Sequence, residues 1–170
     1  PAGAPVRLVA SPTNTGFSGG HNQGIAAVEA RYYLVLNSDA VLRPGCLRHL
    51  LDTARSHPEA GLIAPRLAGD DGHVQVSCFR FPGPLSEFIR GANSAPVPRA
   101  LKAYVLPLGM YPAPEQTGWA SFAYILLKAA MVRELGPMHE GHSLFYRDTQ
   151  YFPRACTAGL PGRYCPAARA

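Results

Sequence analysis

The sequence predicts an α/β domain, and three observations carry that reading. Short apolar runs alternate with helical periodicity in the order β-α-β-α-β. One run, Tyr32-Tyr33-Leu34-Val35-Leu36, is continuous, as expected of a strand buried on both faces of a parallel sheet. Beyond it Leu47, Leu50, Leu51 and Ala54 recur at i, i+3, i+4 and i+7, the apolar stripe of a helix lying on a sheet. The 170 residues suit one domain, and a composition 47% hydrophobic and 16% charged supplies a core and excludes a wholly disordered chain.

The elements follow in order. Val6 to Ala10 reads as a strand entering a loop at Ser11-Pro12-Thr13-Asn14, which Gly16, Gly19 and Gly20 keep open. Asn22 to Ala30 reads as a short helix with Asn22 as its N-cap, since an Asn side chain accepts an orphan backbone N–H. The Tyr32–Leu36 strand ends in Asn37-Ser38-Asp39, and Pro44 suits the first turn of the amphipathic helix, which stops near His57-Pro58. Gly61 to Pro65 is the next strand, and Asp71-Gly72 predicts a hairpin turn into an edge strand at Val74-Gln75-Val76. From Phe81 to Pro114 periodicity fails among seven prolines, which predicts a long irregular excursion with one short helix near Leu85 to Arg90. Trp119 to Leu127 restores a strand, and Ala129 to Leu135 a helix closed by Gly136-Pro137. A helix after Asp148 and a short strand at Arg163-Tyr164-Cys165 complete the pattern.

Composition narrows the function classes. The formal charge is +5, and fourteen of the sixteen cations are Arg, whose planar fork suits phosphate and carboxylate. No Lys/Arg block or basic–aromatic interleaving occurs, so a nucleic-acid partner is not expected. Cys46, Cys78, Cys156 and Cys165 form no C-x-x-C pair, which argues against a zinc site and fits a reducing cytoplasm. The longest apolar stretch, Trp119 to Leu127, is far short of the roughly 20 residues that span a bilayer. The chain opens at Pro1 directly into Val6-Arg7-Leu8-Val9, and a fragment of a longer protein is the expectation.

In an open α/β sheet ligands bind outside the carboxyl ends of the strands, so Asp39 stands where a metal–diphosphate would be met. The alternative for Asp39 is a turn or helix-capping residue. The glycine-rich stretch from Asn14 to Asn22 could turn backbone N–H groups and a helix N-terminus toward an anion, or could be a tight turn. Trp119 could be a platform for an acceptor or a core residue. His21, Arg66 and Arg80 could meet phosphate or simply be solvated.

Read together, Asn14-Thr-Gly-Phe-Ser-Gly-Gly-His-Asn-Gln-Gly-Ile25 and Tyr33-Leu-Val-Leu-Asn-Ser-Asp39, with Pro44 beyond, closely resemble family 2 glycosyltransferases of the rhamnosyltransferase-like kind. The likeness continues through Ala64-Pro65-Arg66-Leu67, Asp71-Gly72 with Gln75 and Ser77, and Trp119-Ala120-Ser121 to Gly136. It implies a GT-A fold, a Rossmann-like three-layer α/β/α sandwich with a mostly parallel sheet, here without its first strand. The implied layout is one partial domain over 1–170: a nucleotide-sugar and metal half at 1–80, the proline-rich excursion at 81–116, and an acceptor and catalytic half at 117–170. Asp39 would fall on the second acidic position of a D-x-D-type motif and hold Mg²⁺ or Mn²⁺. Asn14, Gly16, Phe17, Gly19, Gly20, Asn22, Asn37 and Trp119 would line the substrates. Asp148 would be the base of an inverting transfer from a nucleotide-diphosphate sugar, carrying a hexose or a deoxyhexose such as rhamnose, to a glycan or lipid-linked acceptor. The implied location is the cytoplasm, with peripheral contact at the inner face of the membrane.

Departures from the family pattern cluster in the second half. In Leu144-Phe-Tyr-Arg-Asp-Thr-Gln150, Arg147 replaces a Glu and Gln150 an Asp; His139-Glu140 stands where Asp-Glu is usual; and Phe122 occupies a position commonly small. Arg147 beside Asp148 would lower that carboxylate's pKa if they pair, and Asp148 could instead cap a helix. Pro153 falls where the following helix would lose a hydrogen bond. Two rival readings follow: an impaired remnant or non-catalytic nucleotide-sugar-binding module, and a nucleotidyltransferase on a similar sheet.

Overall fold

Side chains alternate across each central strand, and apolar groups therefore reach both faces of the sheet, where helices cover them. In the computed structural model, residues 6–69, 73–75, 77–79, 115–140 and 147–170 are described; of residues 79, 115, 119 and 147–150 only the backbone is. The elements are α1 (Gly16–Ala26), β1 (Tyr32–Leu36), α2 (Cys46–Ser56), β2 (Leu62–Ala68), β3 (Val74–Gln75), β4 (Cys78–Phe79), β5 (Glu115–Thr117), β6 (Trp119–Ala120), β7 (Tyr124–Lys128), α3 (Ala129–Leu135), α4 (Arg147–Thr157) and β8 (Gly162–Arg169).

The main sheet runs β1-β7-β2-β8-β5, with β3 added beside β2, while β4 and β6 form a separate two-stranded pair. Strand β7 is antiparallel to both β1 and β2, and β8 is parallel to β2. Thus β1, β2 and β8 share one direction with β7 inserted against them, and β2–β8 is the one parallel pairing described. The α/β class holds with mixed pairing. One face buries Val35, Leu62, Ile125, Leu127 and Tyr164 beneath Phe17 and Ile25 of α1, Met131 of α3 and Phe152 of α4. The other buries Ile63, Tyr124 and Leu126 beneath Cys46, Leu50 and Ala54 of α2. These are the two helical layers of an α/β/α sandwich, and they explain why Leu62-Ile63-Ala64 and Tyr124 to Leu127 read as continuous apolar runs.

Several expectations are corrected. Residues Val6 to Ala10 form no strand and are exposed. Glycines fill the start of α1, which runs from Gly16 and holds Asn22 in its interior, not at its N-cap. Each interior glycine costs roughly 1 kcal/mol of helix propensity, but packing of Phe17 and Ile25 against the sheet overrides that cost. The helix begins where the Asn14 Oδ1 accepts the Gly16 N–H at 2.9 Å, with Gly16 at φ +69°. Strand β1 lies at one end of the described sheet and only Val35 is fully buried, because its described pairing is with β7 alone. Pro44 precedes Gly45, the N-cap of α2 at φ +81°, and Leu47 is exposed while Cys46, Leu50, Thr53 and Ala54 are buried.

The predicted Trp119–Leu127 strand is two: β6 and β7 are separated by a turn at Phe122 and Ala123. Glu115 and Gln116, assigned to the excursion, pair with Tyr164 and Arg163. Pro153 lies within α4; burial of Tyr151, Phe152 and Ala155 holds the turn that lacks its hydrogen bond. Strand β8 is longer than predicted, and Pro166 is accommodated where its register with β2 shifts. The hairpin expectation agrees with the antiparallel β2–β3 pair, in which Leu67 faces Gln75. Its turn at Asp71-Gly72, the excursion through Pro114 with its short helix, and Arg80 lie outside the described residues. The four thiols are free, three of them buried. No helix among the described residues is long and apolar enough to cross a membrane.

Candidate functional site

Because β1, β2 and β8 share a direction, their carboxyl ends meet at one edge of the sheet. Asn37–Asp39 follow β1, Ala68 and Gly69 close β2, and Ala170 follows β8. The Ala68 N–H donates to the Ala170 carbonyl at 2.8 Å, and the Ala170 N–H to the Arg66 carbonyl at 3.0 Å. These three ends wall a cavity of about 340 Å³ whose lining includes Asn37, Asp39, Arg43, Gln75 and Tyr124. It lies where the general rule for open α/β sheets puts a ligand.

The backbone of the Asn37 turn is fixed. Its N–H donates to the Ala123 carbonyl at 2.9 Å, and its own carbonyl accepts from Ala40 at 3.2 Å. Asn37 is half-buried and Asp39 exposed, so the carboxylate is offered to the cavity mouth. Tyr124, on the lining, is buried. Burial pushes the Tyr124 phenol up, and its hydroxyl lies 3.3 Å from the Cys46 sulfur, which adds to the same effect. Arg43, which sequence reasoning missed, stands on the wall; the Arg43 N–H donates to the Arg169 carbonyl at 3.3 Å. The signal for it was present, since an Arg four residues past an acidic turn leads into α2.

The glycine-rich segment occupies a different place. Gly16, Phe17 and Gly20 line a second cavity of about 670 Å³ between α1 and β1, with His21, Gly24 and Ile25. The His21 ring packs on Phe17 with centroids 4.2 Å apart, and its Nδ1 lies 2.7 Å from the Phe17 carbonyl oxygen. Ser18 is buried, and its hydroxyl oxygen has no partner among the described residues. Gly19 is closed in by Thr15, whose Cβ would lie 2.5 Å from any Cβ added there. Asn22 turns toward the other half of the chain, bonding to Met138 and Glu140. Of the residues singled out by sequence, the structure therefore gathers Asn37 and Asp39 in the first cavity and Gly16, Phe17, Gly20 and His21 in the second.

Asp148 lies in the first turn of α4 and Trp119 opens β6; both are described by backbone alone. Phe122 is a core residue, with edge-on contacts to Tyr151 and Phe152 at 6.1 and 6.0 Å between ring centres. Its bulk is absorbed by packing. Among the described residues no three His, Cys, Asp or Glu side chains gather to hold a metal ion. Asp39 carboxylate and Asn37 amide oxygens are nevertheless hard donors of the kind Mg²⁺ and Mn²⁺ take, and these ions draw remaining ligands from substrate phosphates and water.

Comparisons with known proteins bear on this same region. The model of Glycosyl transferase family 2 matches residues 2–80, which contain α1, Asn37 and Asp39. The N-acetylglucosaminyl-diphospho-decaprenol L-rhamnosyltransferases of two Mycobacterium tuberculosis strains, CDC 1551 / Oshkosh and ATCC 25618 / H37Rv, are each 27% identical over 180 residues. The match takes in 96% of this chain and 57% of theirs, so the chain spans a little over half the length of these curated relatives. With the sandwich and the strand-end cavity already in place, the match over residues 2–80 makes the first half of the chain similar to glycosyl transferase family 2, and the two relatives give that likeness a rhamnosyltransferase-like character.

Proposed function

We propose that the chain carries the donor site, and part of the catalytic apparatus, of an inverting transferase moving a deoxyhexose or hexose from a nucleotide diphosphate to a lipid-linked acceptor. The carrying observation is the cavity at the carboxyl ends of β1, β2 and β8, with Asn37 and Asp39 on its wall. The relatives' name describes L-rhamnosyl transfer and a diphospho-decaprenol compound, which favours a deoxyhexose donor and a lipid-linked acceptor over a free glycan. Asp39, with Asn37 beside it, would hold Mg²⁺ or Mn²⁺. When bound, the metal supplies Lewis-acid stabilisation of the departing diphosphate.

The chain's own residues have separate tasks in this reading. Arg43 adds a cation to the lining of the donor cavity, suited to phosphate oxygens. Asp148, in the first turn of α4, takes the acceptor hydroxyl's proton. Transfer takes place in the cytoplasm at the inner face of the membrane. The test is to incubate the chain with nucleotide-diphosphate sugars and a polyprenyl-diphosphate sugar, and to follow nucleoside diphosphate and glycosylated lipid. Both products support the proposal. In a parallel reaction given a nucleoside triphosphate and a sugar 1-phosphate, release of pyrophosphate with formation of the nucleotide sugar would instead indicate nucleotidyl transfer, and donor binding without turnover a binding module.

A further inference from the structure

The segment from Leu135 to Glu140 is tied on two sides. From α4, the Tyr151 hydroxyl donates to the Gly136 carbonyl at 3.1 Å, and Arg154 donates to the Leu135 carbonyl. From α1, the Asn22 side chain makes a two-point contact with Met138: its Oδ1 accepts the Met138 N–H at 2.9 Å, and its Nδ2 donates to the Met138 carbonyl at 2.8 Å. The same Nδ2 donates to the Glu140 Oε1 at 2.9 Å. Both amide hydrogens and the amide oxygen are thus committed to residues 116 and 118 positions away. Gly19 stands beside this contact: a Cβ there would meet the Glu140 carboxyl carbon at 3.5 Å, an ordinary contact, but the Thr15 Cβ at 2.5 Å, so that something in this turn of α1 must shift.

We infer that Asn22 is a positioning residue that sets the α4 end carrying Asp148 relative to the Asn37–Asp39 end of β1, and does not itself bind the donor. The inference rests on the transfer reading above. Physical continuity supports it: Phe17 and Ile25 of α1 pack on the face of β1 that holds Tyr33 and Val35, β1 ends at Leu36 and leads directly into the Asn37–Asp39 turn, and Met138 is buried, bonded to Asn22 of α1 and joined through Gly136 to α4. A rigid two-point amide pair transmits position because neither hydrogen bond can lengthen without loss of the other.

The test compares the wild-type chain with Asn22→Ala, Gly19→Ala and the conservative Glu140→Gln, whose amide oxygen still accepts from Asn22. Three readouts are taken: hydrogen exchange at the Met138 amide and through α4, nucleotide-sugar affinity, and kcat with KM. In Asn22→Ala the Met138 amide exchanges about tenfold faster or more, donor affinity stays within about twofold, and kcat falls about tenfold or more. Gly19→Ala follows it and Glu140→Gln keeps wild-type kcat. Unchanged Met138 exchange overturns the clamp, and a loss of donor affinity matching the loss of kcat makes Asn22 a donor ligand. If the wild-type chain transfers no sugar, the transfer reading fails on its own; exchange that stays slow through α4 in Asn22→Ala then overturns the coupling, and faster exchange there upholds it.

Discussion

The two sequence segments that carry the family likeness end in opposite circumstances. At Asn37–Asp39 the backbone is pinned to Ala123 and the Asp39 side chain is exposed at a cavity mouth. At Gly16–Asn22 the segment is a helix packed on the sheet, with His21 and Asn22 bonded within the protein and Gly19 walled in by Thr15. Equally legible motifs thus sit in different surroundings: the first leaves an acidic side chain open at a cavity, and the second commits His21, Asn22 and Gly19 to contacts within the protein. A residue whose hydrogen-bonding capacity is already filled has little left for a ligand, whatever its motif suggests.

That contrast can be broken from the packed side first. Phe152, fully buried beneath Gly162 and beside Phe122, should cost about 3–5 kcal/mol of stability when cut to Ala, read as a lower urea midpoint. Gly162→Ala should cost about 1–3 kcal/mol, since its Cβ would fall 2.4 Å from the Phe152 ring and 3.0 Å from Thr117 Cγ2. On the open side, Asp39→Ala should leave stability within about 0.5 kcal/mol. Loss of folding in Asp39→Ala, or none in Phe152→Ala, would reverse the comparison.

The pH dependence of stability sharpens the same picture. Burial pushes the Cys78 thiol from 9.0 up to about 12 and raises the Cys46 thiol and the Tyr124, Tyr151 and Tyr164 phenols. The folded state keeps these groups protonated, while in the unfolded chain they ionise near 9.0 and 10.0. Their contribution is therefore complete below about pH 9 and is lost progressively as pH rises through the folded values. Urea melts at rising pH should show an alkaline decline, and a flat profile would mean the two core layers are wetter than described. The smallest effect belongs to the surface: Arg55→Ala removes an exposed pair with Asp52 at 3.1 Å and should change the midpoint by less than about 0.5 kcal/mol.

What the sequence made legible were the segments where local pattern and tertiary packing agree. Leu62–Ala64, the α2 stripe and the Asn37–Asp39 strand end belong here, because a buried strand and an amphipathic helix each have a pattern to read; Tyr32–Leu36 was legible as a strand but not as one at the end of the described sheet. It failed where packing overrode local preference. The glycines of α1 and Pro153 of α4 carry propensity costs that burial of Phe17, Ile25, Phe152 and Ala155 outweighs. It failed also where pairing is non-local: Glu115–Thr117 is a strand because β8 lies beside it, and β8 extends past Pro166 because β2 offers a shifted register. Arg43 lies only four residues past Asp39, a spacing that keeps it near the turn, but its meeting with the end of β8 at Arg169 is a non-local contact.

The most direct measurement is nucleotide-diphosphate sugar binding by calorimetry, with Mg²⁺ or Mn²⁺ and with chelator, on the wild-type chain and on Asp39→Ala. Binding by the wild type should need the divalent ion and should fall about tenfold or more in Asp39→Ala, with the fold intact. Equal, metal-independent binding by both chains would contradict the assignment of the donor to the cavity at the ends of β1, β2 and β8.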